Sequence, residues 1–569
     1  MVLGVGAWAV LLAGCGDSAG SDGGRETDGG TSSPETSSSQ GESGDGDPGD
    51  GDPGDGDGDP GDGDPGDGDP GDGDPGDGDS GGVKFDMSAL PDVGEPIDLC
   101  KVSDDMDAIG TCEQVAPPDA FEPENQWTFT DPTETASYVT PLVANLTDDD
   151  DNGEIDLCDV PDVVLVAGVN PGPPNAVGHI FVLSGDTGAL HFRIPTDVDS
   201  SFTPAIGDID NDGLVEIVTA QPNGNLVAFE HDGALKWSKP VSWPLGDFFG
   251  QDLRYSGSAA LADLDNDGDV EIVSANLIFD HEGNLLHTLA SLGGQWGATT
   301  MADLDGDDDL EIVLGAAAYQ HDGSLLWATN LVPGYPQVAD LDDDALPEVL
   351  LTNRNGVSLI EHDGTVSYQD LRPTGVGATG TNWHRPATIH DFDGDDQPEF
   401  AVSSASQYTV YEADASILWT APVQDASGIA AGTAFDFLGA GTAQAMYADE
   451  QNLFVYAGGG SVLLQVPRSS GTLSEYPVVA DIDNDGSAEI LVVSNLHNAG
   501  PDYVCLRAIR DVQDRWIQAR RIWNQHSYHV SNVREDGTIP QFEPPSWEGL
   551  NTFRTNAQIE GGGICDPAG

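Results

Sequence analysis

Beyond Pro141 the chain is a succession of short runs in which apolar and polar positions alternate, punctuated by Asp, Asn and Gly. A period of two sends successive side chains to opposite faces of an extended backbone, so these runs predict strands rather than helices. Two elements recur. The first is an acidic loop between apolar segments, clearest in Ala205-Ile206-Gly207-Asp208-Ile209-Asp210-Asn211-Asp212-Gly213-Leu214-Val215-Glu216-Ile217-Val218, with copies beginning at Asp263, Asp303, Asp340, Asp391 and Asp481. The second is a hairpin: Val227 to Trp237, Tyr319 to Trp327, Leu359 to Tyr368 and Tyr411 to Trp419 each carry a turn, most often Asp-Gly, between two alternating runs.

Together the two elements make about four short strands per unit of roughly 40 to 60 residues, the size of a propeller blade. Beside the six regular acidic loops stand two irregular units. One runs from Asn145 to Val166 and ends in the hairpin Phe181 to Phe192. The other spans Asp436 to Gln444, where Leu438 and Ala440 replace the second and third carboxylates, and the hairpin Phe454 to Val466 follows. The expected fold is all-β: a β-propeller of eight four-stranded blades, or seven if the first or last unit is split between the termini.

These residues resemble the FG-GAP and VCBS repeat family over roughly Pro141 to Val533. The segment Ala519-Arg520-Arg521-Ile522-Trp523-Asn524-Gln525-His526-Ser527-Tyr528-His529-Val530 resembles the C-terminal end of bacterial members of that group. The resemblance implies blades similar to those of the integrin α-subunit head, with calcium in the D-x-D-x-D-G loops. It implies no single biochemical role, since propellers host many.

The loop chemistry points to the same ion. Calcium takes six to eight oxygens at about 2.3–2.6 Å, and alternate positions of a tightly turning loop converge on one point. Positions 1, 3 and 5 offer carboxylates, position 7 a carbonyl and position 9 a further carboxylate. The expected ligands are Asp208, Asp210, Asp212 and Glu216; Asp263, Asp265, Asp267 and Glu271; Asp303, Asp305, Asp307 and Glu311; Asp340, Asp342, Asp344 and Glu348; Asp391, Asp393, Asp395 and Glu399; and Asp481, Asp483, Asp485 and Glu489. Without a cation, each like-charge contact at ~4 Å costs about 1 kcal/mol in water and several at an effective dielectric near 20. Gly213, Gly268 and Gly486 at position 6 permit the reversal; Asp308, Ala345 and Asp396 stand there in the other loops. The first unit instead matches an EF-hand loop, with Asp148, Asp150, Asn152, Asp156 and, at position 12, Asp159. The Asp436 unit lacks the oxygens for an ion and is expected to form a tight turn through Gly439 and Gly441.

Composition adds a location. Asp and Glu number 100 against 18 Lys and Arg, a formal charge of −82, which repels nucleic acid and anionic membrane surfaces. The start, Met1 to Cys15, resembles a bacterial lipoprotein signal peptide ending in Leu12-Ala13-Gly14-Cys15, although it lacks a basic n-region; the resemblance implies that Cys15 carries a lipid. Gly44 to Asp79 repeats Gly-Asp-Pro-Gly-Asp units with 15 aspartates and no Lys or Arg, a solvated tether that buries nothing. The expected organisation is a signal at 1–15, a disordered acidic tether at 16–82, a cap or extension at 83–135, the propeller at 136–535 and a tail at 536–569. Export permits disulfides, and Cys100 with Cys112 is the favoured pair among Cys100, Cys112, Cys158, Cys505 and Cys565. The arginines at 507, 510, 515, 520, 521 and 534 are expected to close the ring: their segment would supply the last strands and pair with the acidic edge of the first blade near Asp148 to Asp162, with Trp516 and Trp523 packed inward.

Catalysis is not expected. His231, His281, His321 and His362 occupy one turn position of successive hairpins, a structural register; His384, His390, His526 and His529 are not in that register, and a site built from them is the catalytic alternative. No serine elbow, H-E-x-x-H, Cys-x-x-Cys or phosphate loop is present. The expected function is a lipid-anchored, calcium-binding monomer at the bacterial outer membrane or cell surface, recognising a protein or glycan ligand. The alternatives are an envelope assembly scaffold and a propeller enzyme, quinoprotein or polysaccharide-active.

Overall fold

The computed structural model describes residues 100–567 apart from 103–108, 170–175, 245–253, 255–256, 291–298, 343, 345, 373–384, 426–428 and 496–502. All of these belong to one compact unit, 90–569. Cys15 and the aspartate tether lie outside the described residues. Among the described residues there are strands and no helix.

Eight four-stranded antiparallel sheets follow one another, at 142–193, 205–240, 260–288, 300–328, 335–371, 388–422, 432–467 and 478–511, the last completed from elsewhere; they are numbered here as blades 1 to 8. Blade 2 shows the plan. Ala205–Gly207, Glu216–Ala220, Asn225–Phe229 and Leu235–Pro240 lie side by side in chain order. The first two are buried throughout and the third nearly so, whereas the fourth is half exposed. A strand covered on both faces reads as a continuous apolar run, and one at the rim alternates. The short first strands of successive blades approach one another, blade 1 to 2, 2 to 3, 4 to 5, 6 to 7 and 7 to 8, which is the inner wall of a β-propeller. Blade 1 carries an additional strand, Val198–Asp199.

Blade 8 takes Val478–Ala480, Glu489–Val493 and Leu506–Asp511 from the late chain and its outermost strand, Pro123–Phe129, from the early chain. Thr128 stands opposite Arg507 and Glu124 opposite Arg510. Closure by 507–533 alone is therefore corrected: that segment gives one strand, and the region expected to be a cap gives the other. The arginines follow their true neighbour. Arg510 pairs with Glu124 at 3.3 Å, Arg515 with Glu122 at 3.5 Å, and Arg507 donates to Asn125 at 2.6 Å. Arg521 reaches the acidic edge of blade 1, through the Leu157 carbonyl at 2.6 Å. Trp516 and Trp523 are buried.

On several outer strands an aromatic side chain near the start covers the hairpin turn of the next blade, whereas the outer strand of blade 7, Val462–Pro467, carries none. Trp237 Nε1 donates to the His281 carbonyl at 2.9 Å, Trp327 Nε1 to that of His362 at 2.7 Å, and the Tyr368 hydroxyl to that of Ala413 at 3.1 Å. The rings lie on turn glycines: a Cβ on Gly283 would sit 2.6 Å from Trp237, and one on Gly364 2.8 Å from Trp327. Trp127, on the strand that completes blade 8, does the same to blade 1, donating to the Gly185 carbonyl at 2.5 Å and covering Gly188. The repeated histidines thus belong to turns whose carbonyls serve as acceptors.

Residues 512–558 then run along the inner wall. Backbone bonds join Trp523 to Val143 and the Asn524 carbonyl to Ile206; Gln525 accepts from Leu261, Asn551 from Asp340, and the Phe553 carbonyl from Ile389. Thr433 donates to the Arg554 carbonyl at 2.7 Å and Asn556 to that of Val479 at 2.9 Å. Blades 1, 2, 3, 5, 6, 7 and 8 are bonded in this way, and Trp547 packs against the cluster containing Ala302, Leu304 and Val338 of blades 4 and 5. The boundary expected at 535 is crossed by this segment. The expected Cys100–Cys112 pair is also corrected: Cys100 bonds Cys158 in the first acidic loop, and Cys112 bonds Cys565, beside which it runs in a parallel strand pair. Cys505 is free and buried.

Candidate metal sites on the carboxylate loops

Every acidic loop joins the first strand of its blade to the second, so the common strand order brings all of them to the same edge of the sheets. The loops share the bond made by their closing carboxylate and vary at their first aspartate. At blade 2, Asp208 accepts from the backbone N–H of Asp212 at 3.1 Å and of Gly213 at 2.9 Å, and Asp212 from that of Leu214 at 3.0 Å. The closing Glu uses Oε2 to hold the second residue of its loop: Glu216 accepts from Ile209, Glu271 from Leu264, Glu311 from Leu304, Glu348 from Leu341, Glu399 from Phe392 and Glu489 from Ile482, all at 2.7–3.0 Å. Gly213, Gly268 and Gly486 have φ of 89°, 91° and 88°, while Asp308 and Asp396 adopt 74° and 65° without the glycine. Ala345 lies outside the described residues.

In two of these loops expected carboxylates come together. Carboxylate oxygens of Asp391, Asp393, Asp395 and Glu399 lie within 4.8 Å of one another, as do those of Asp208, Asp210 and Glu216. The Glu side chains are buried, and among the described residues Oε1 of Glu311, Glu399 and Glu489 and Oδ1 of Asp481 have no hydrogen-bond partner. Burial first, and then the neighbouring aspartates, push Glu271, Glu311, Glu348 and Glu399 up to about 8 and Glu489 well above its usual value. Asp481 is pushed up to about 7 and Asp263 to about 6, chiefly by burial. A buried acceptor without a donor, beside further carboxylates, is the environment a divalent cation satisfies.

In blade 1, Asp148, Asp150 and Asp159 come together in the same way. Asp159 accepts from the backbone of Asp149, Asp150 and Asp156, while Asn152 and Asp156 hold local turns by accepting from Glu154 and Cys158. The loop is strand-flanked, between Leu142–Ala144 and Asp162–Gly168. In blade 7, Asp436 accepts from Leu438 and Gly441, Gly439 and Gly441 take φ of 62° and 72°, and Gln444 replaces the closing Glu by accepting from Phe437.

Two features escape a reading of single loops. Asn211, Asn266 and Asn484, at position 4 with φ of 56–58°, reach across to the adjacent blade, bonding the carbonyls of Gly268, Asp308 and Leu157 at 2.6–3.2 Å. Lys236 enters the blade 2 loop from the outer strand of the same blade. Of the remaining histidines, His390 is lowered to about 4 by burial, His526 is buried under a Tyr476 ring, His529 bonds Glu543, and His384 lies outside the described residues.

The fold and its loops define a class: a β-propeller whose blades carry repeated carboxylate loops. Residues 208–274, from the blade 2 loop to the second strand of blade 3, match the FG-GAP-like repeat, so the chain carries that repeat. No curated protein sequence matches the chain. Among solved structures it is similar to the V. cholerae biofilm matrix protein Bap1, at 20% identity over 79% of this chain and 100% of that one, with a TM-score of 0.64. It is also similar to rhamnogalacturonan lyase YesW, at 16% identity over 78% and 83% with a TM-score of 0.49, and to a europium-containing methanol dehydrogenase, at 12% over 70% and 95% with a TM-score of 0.48. At these identities the likeness is one of fold. The expectation that the chain is not an enzyme is corrected on this finding: enzymes stand among the structures it resembles, and the exclusion of catalysis is withdrawn.

Proposed function

We propose that the chain is a calcium-binding propeller of the cell exterior, held to the outer membrane by a lipid on Cys15 and acting in surface recognition or adhesion toward a protein or glycan. The observation that carries the calcium reading is the set of buried, unpartnered Oε1 atoms of Glu311, Glu399 and Glu489 beside their loop aspartates. The loops of blades 3 to 6 and 8 would hold the ion through Asp263, Asp265, Asp267 and Glu271 and the equivalent residues, and that of blade 1 through Asp148, Asp150 and Asp159. The two disulfides suit an exported chain. The fold is one that a biofilm matrix protein also uses, which makes adhesion the role to test first.

The test has two arms. Calorimetric titration of the full chain, stripped with EGTA, should show several calcium ions bound per chain and a melting temperature raised by many degrees. Beads coated with the full chain should adhere to envelope glycan or whole cells in calcium and release in EGTA. Identical melting curves with and without calcium would remove the metal reading; calcium binding without calcium-dependent adhesion would remove the role.

A further inference from the structure

Blade 2 differs from its siblings at one residue of its outer strand. Lys236 Nζ lies 2.5 Å from Asp210 Oδ2, 3.1 Å from Glu216 Oε1 and 3.3 Å from Glu230 Oε2. The Glu Oε1 atom that has no partner at Glu311, Glu399 and Glu489 is therefore bonded here. The position is comparable from blade to blade, because it immediately precedes the side chain that covers the next turn. Where Lys236 precedes Trp237, Leu286 precedes His287, Leu326 precedes Trp327, Ser367 precedes Tyr368 and Leu418 precedes Trp419. In blade 1 the place belongs to His191, whose Nε2 is 3.5 Å from Asp162 and 3.7 Å from Asp149. Lys236 alone among these brings a permanent cation.

An ammonium offers three donors on a flexible four-carbon stem, and these three donors meet three carboxylates. A calcium ion in this loop would need the same oxygens of Asp210 and Glu216. Two cations cannot share them, since at a few ångströms their repulsion removes what the second would gain. We infer that Lys236 is a built-in counter-ion: its ammonium takes the place of calcium in the Asp208–Glu216 loop, so that blade 2 is held without metal. The inference rests on the calcium reading of the other loops and sets blade 2, wired by its own lysine, apart from the metal-dependent blades 1, 3 to 6 and 8.

Calcium bound per full-length chain, counted by equilibrium dialysis and atomic emission, tests it. Lys236→Met should bind one ion more than the wild type, and Lys236→Arg should leave the count unchanged. Glu216→Gln should also leave it unchanged, whereas Glu271→Gln in blade 3 should lose one. An unchanged count in folded Lys236→Met, or an ion lost in Glu216→Gln, would overturn the inference; the second holds even if the methionine variant does not fold. Wild type with no calcium and Lys236→Met with one would support the counter-ion while removing the calcium reading of the other loops. No calcium in either protein would remove both.

Discussion

Glu311 spends one carboxylate oxygen on the backbone of Leu304, at 2.8 Å, and leaves the other without a donor. Its replacement by Gln keeps the shape and the first bond but deletes the charge. Without calcium that charge is a burden, so at pH 8 in EGTA Glu311→Gln should melt about 2–4 °C above the wild type. In calcium the sign should reverse, because the ion loses a ligand; thermal scans in both buffers decide it, and the same sign in both would refute it. His529 is a second residue with a measurable sign. Burial lowers its pKa, but the Glu543 carboxylate at 2.5 Å outweighs this and holds it above the usual histidine value. A raised folded pKa stabilises fully below about pH 6.5, the unfolded value, and the gain is lost as pH rises through the folded pKa. Glu543→Gln should therefore cost about 2 kcal/mol near pH 6 and less by pH 9, read from urea midpoints. A pH-independent difference would show the pair to be neutral.

Between one blade and the next, the ring on the turn is an element that a double-mutant cycle can isolate. Trp327→Ala removes a nearly buried indole and should cost about 3–5 kcal/mol. Gly364→Ala puts a methyl 2.8 Å from that indole at a φ of 85° and should cost about 1–3 kcal/mol. In the Trp327→Ala background only the backbone part should remain, so the two costs should fall short of additive; strict additivity in denaturant titrations would show that they do not touch. What was legible in the sequence follows the same division. The acidic loops and hairpins are local, and their residues announce themselves by period and turn chemistry within 40 to 60 residues. The strand Pro123–Phe129 reads as mostly polar with one Trp, and its partner begins at Leu506, so no local pattern could pair them. The Cys112–Cys565 bond spans 453 residues and is hidden for the same reason. Lys236 was visible, but only by aligning the outer strands and asking which single position carries a cation toward a loop.

At the scale of the whole molecule, the strand from 123 to 129 and the segment from 512 to 558 decide whether eight sheets become one body. A chain lacking 123–129 would leave Leu506–Asp511 as an open edge and blade 1 without Trp127. It should elute as oligomers in size-exclusion chromatography, where the complete chain should elute as a monomer; a monomeric truncation with an unchanged melting curve would contradict this. Replacing Cys112 and Cys565 by Ser should cost about 2–5 kcal/mol, since the C-terminal strand is then tied only by weak bonds. The pairing of 123–129 with 506–511 also sets a clock. At about 5–20 residues per second of synthesis, the partner strand appears roughly 20–80 s after the first, and the central segment later still. Throughout that interval the outermost strand of blade 8 has no partner, so the ring cannot close before residues 506–511 are made. For the exported chain proposed above, closure would then follow translocation, where calcium and an oxidant are at hand.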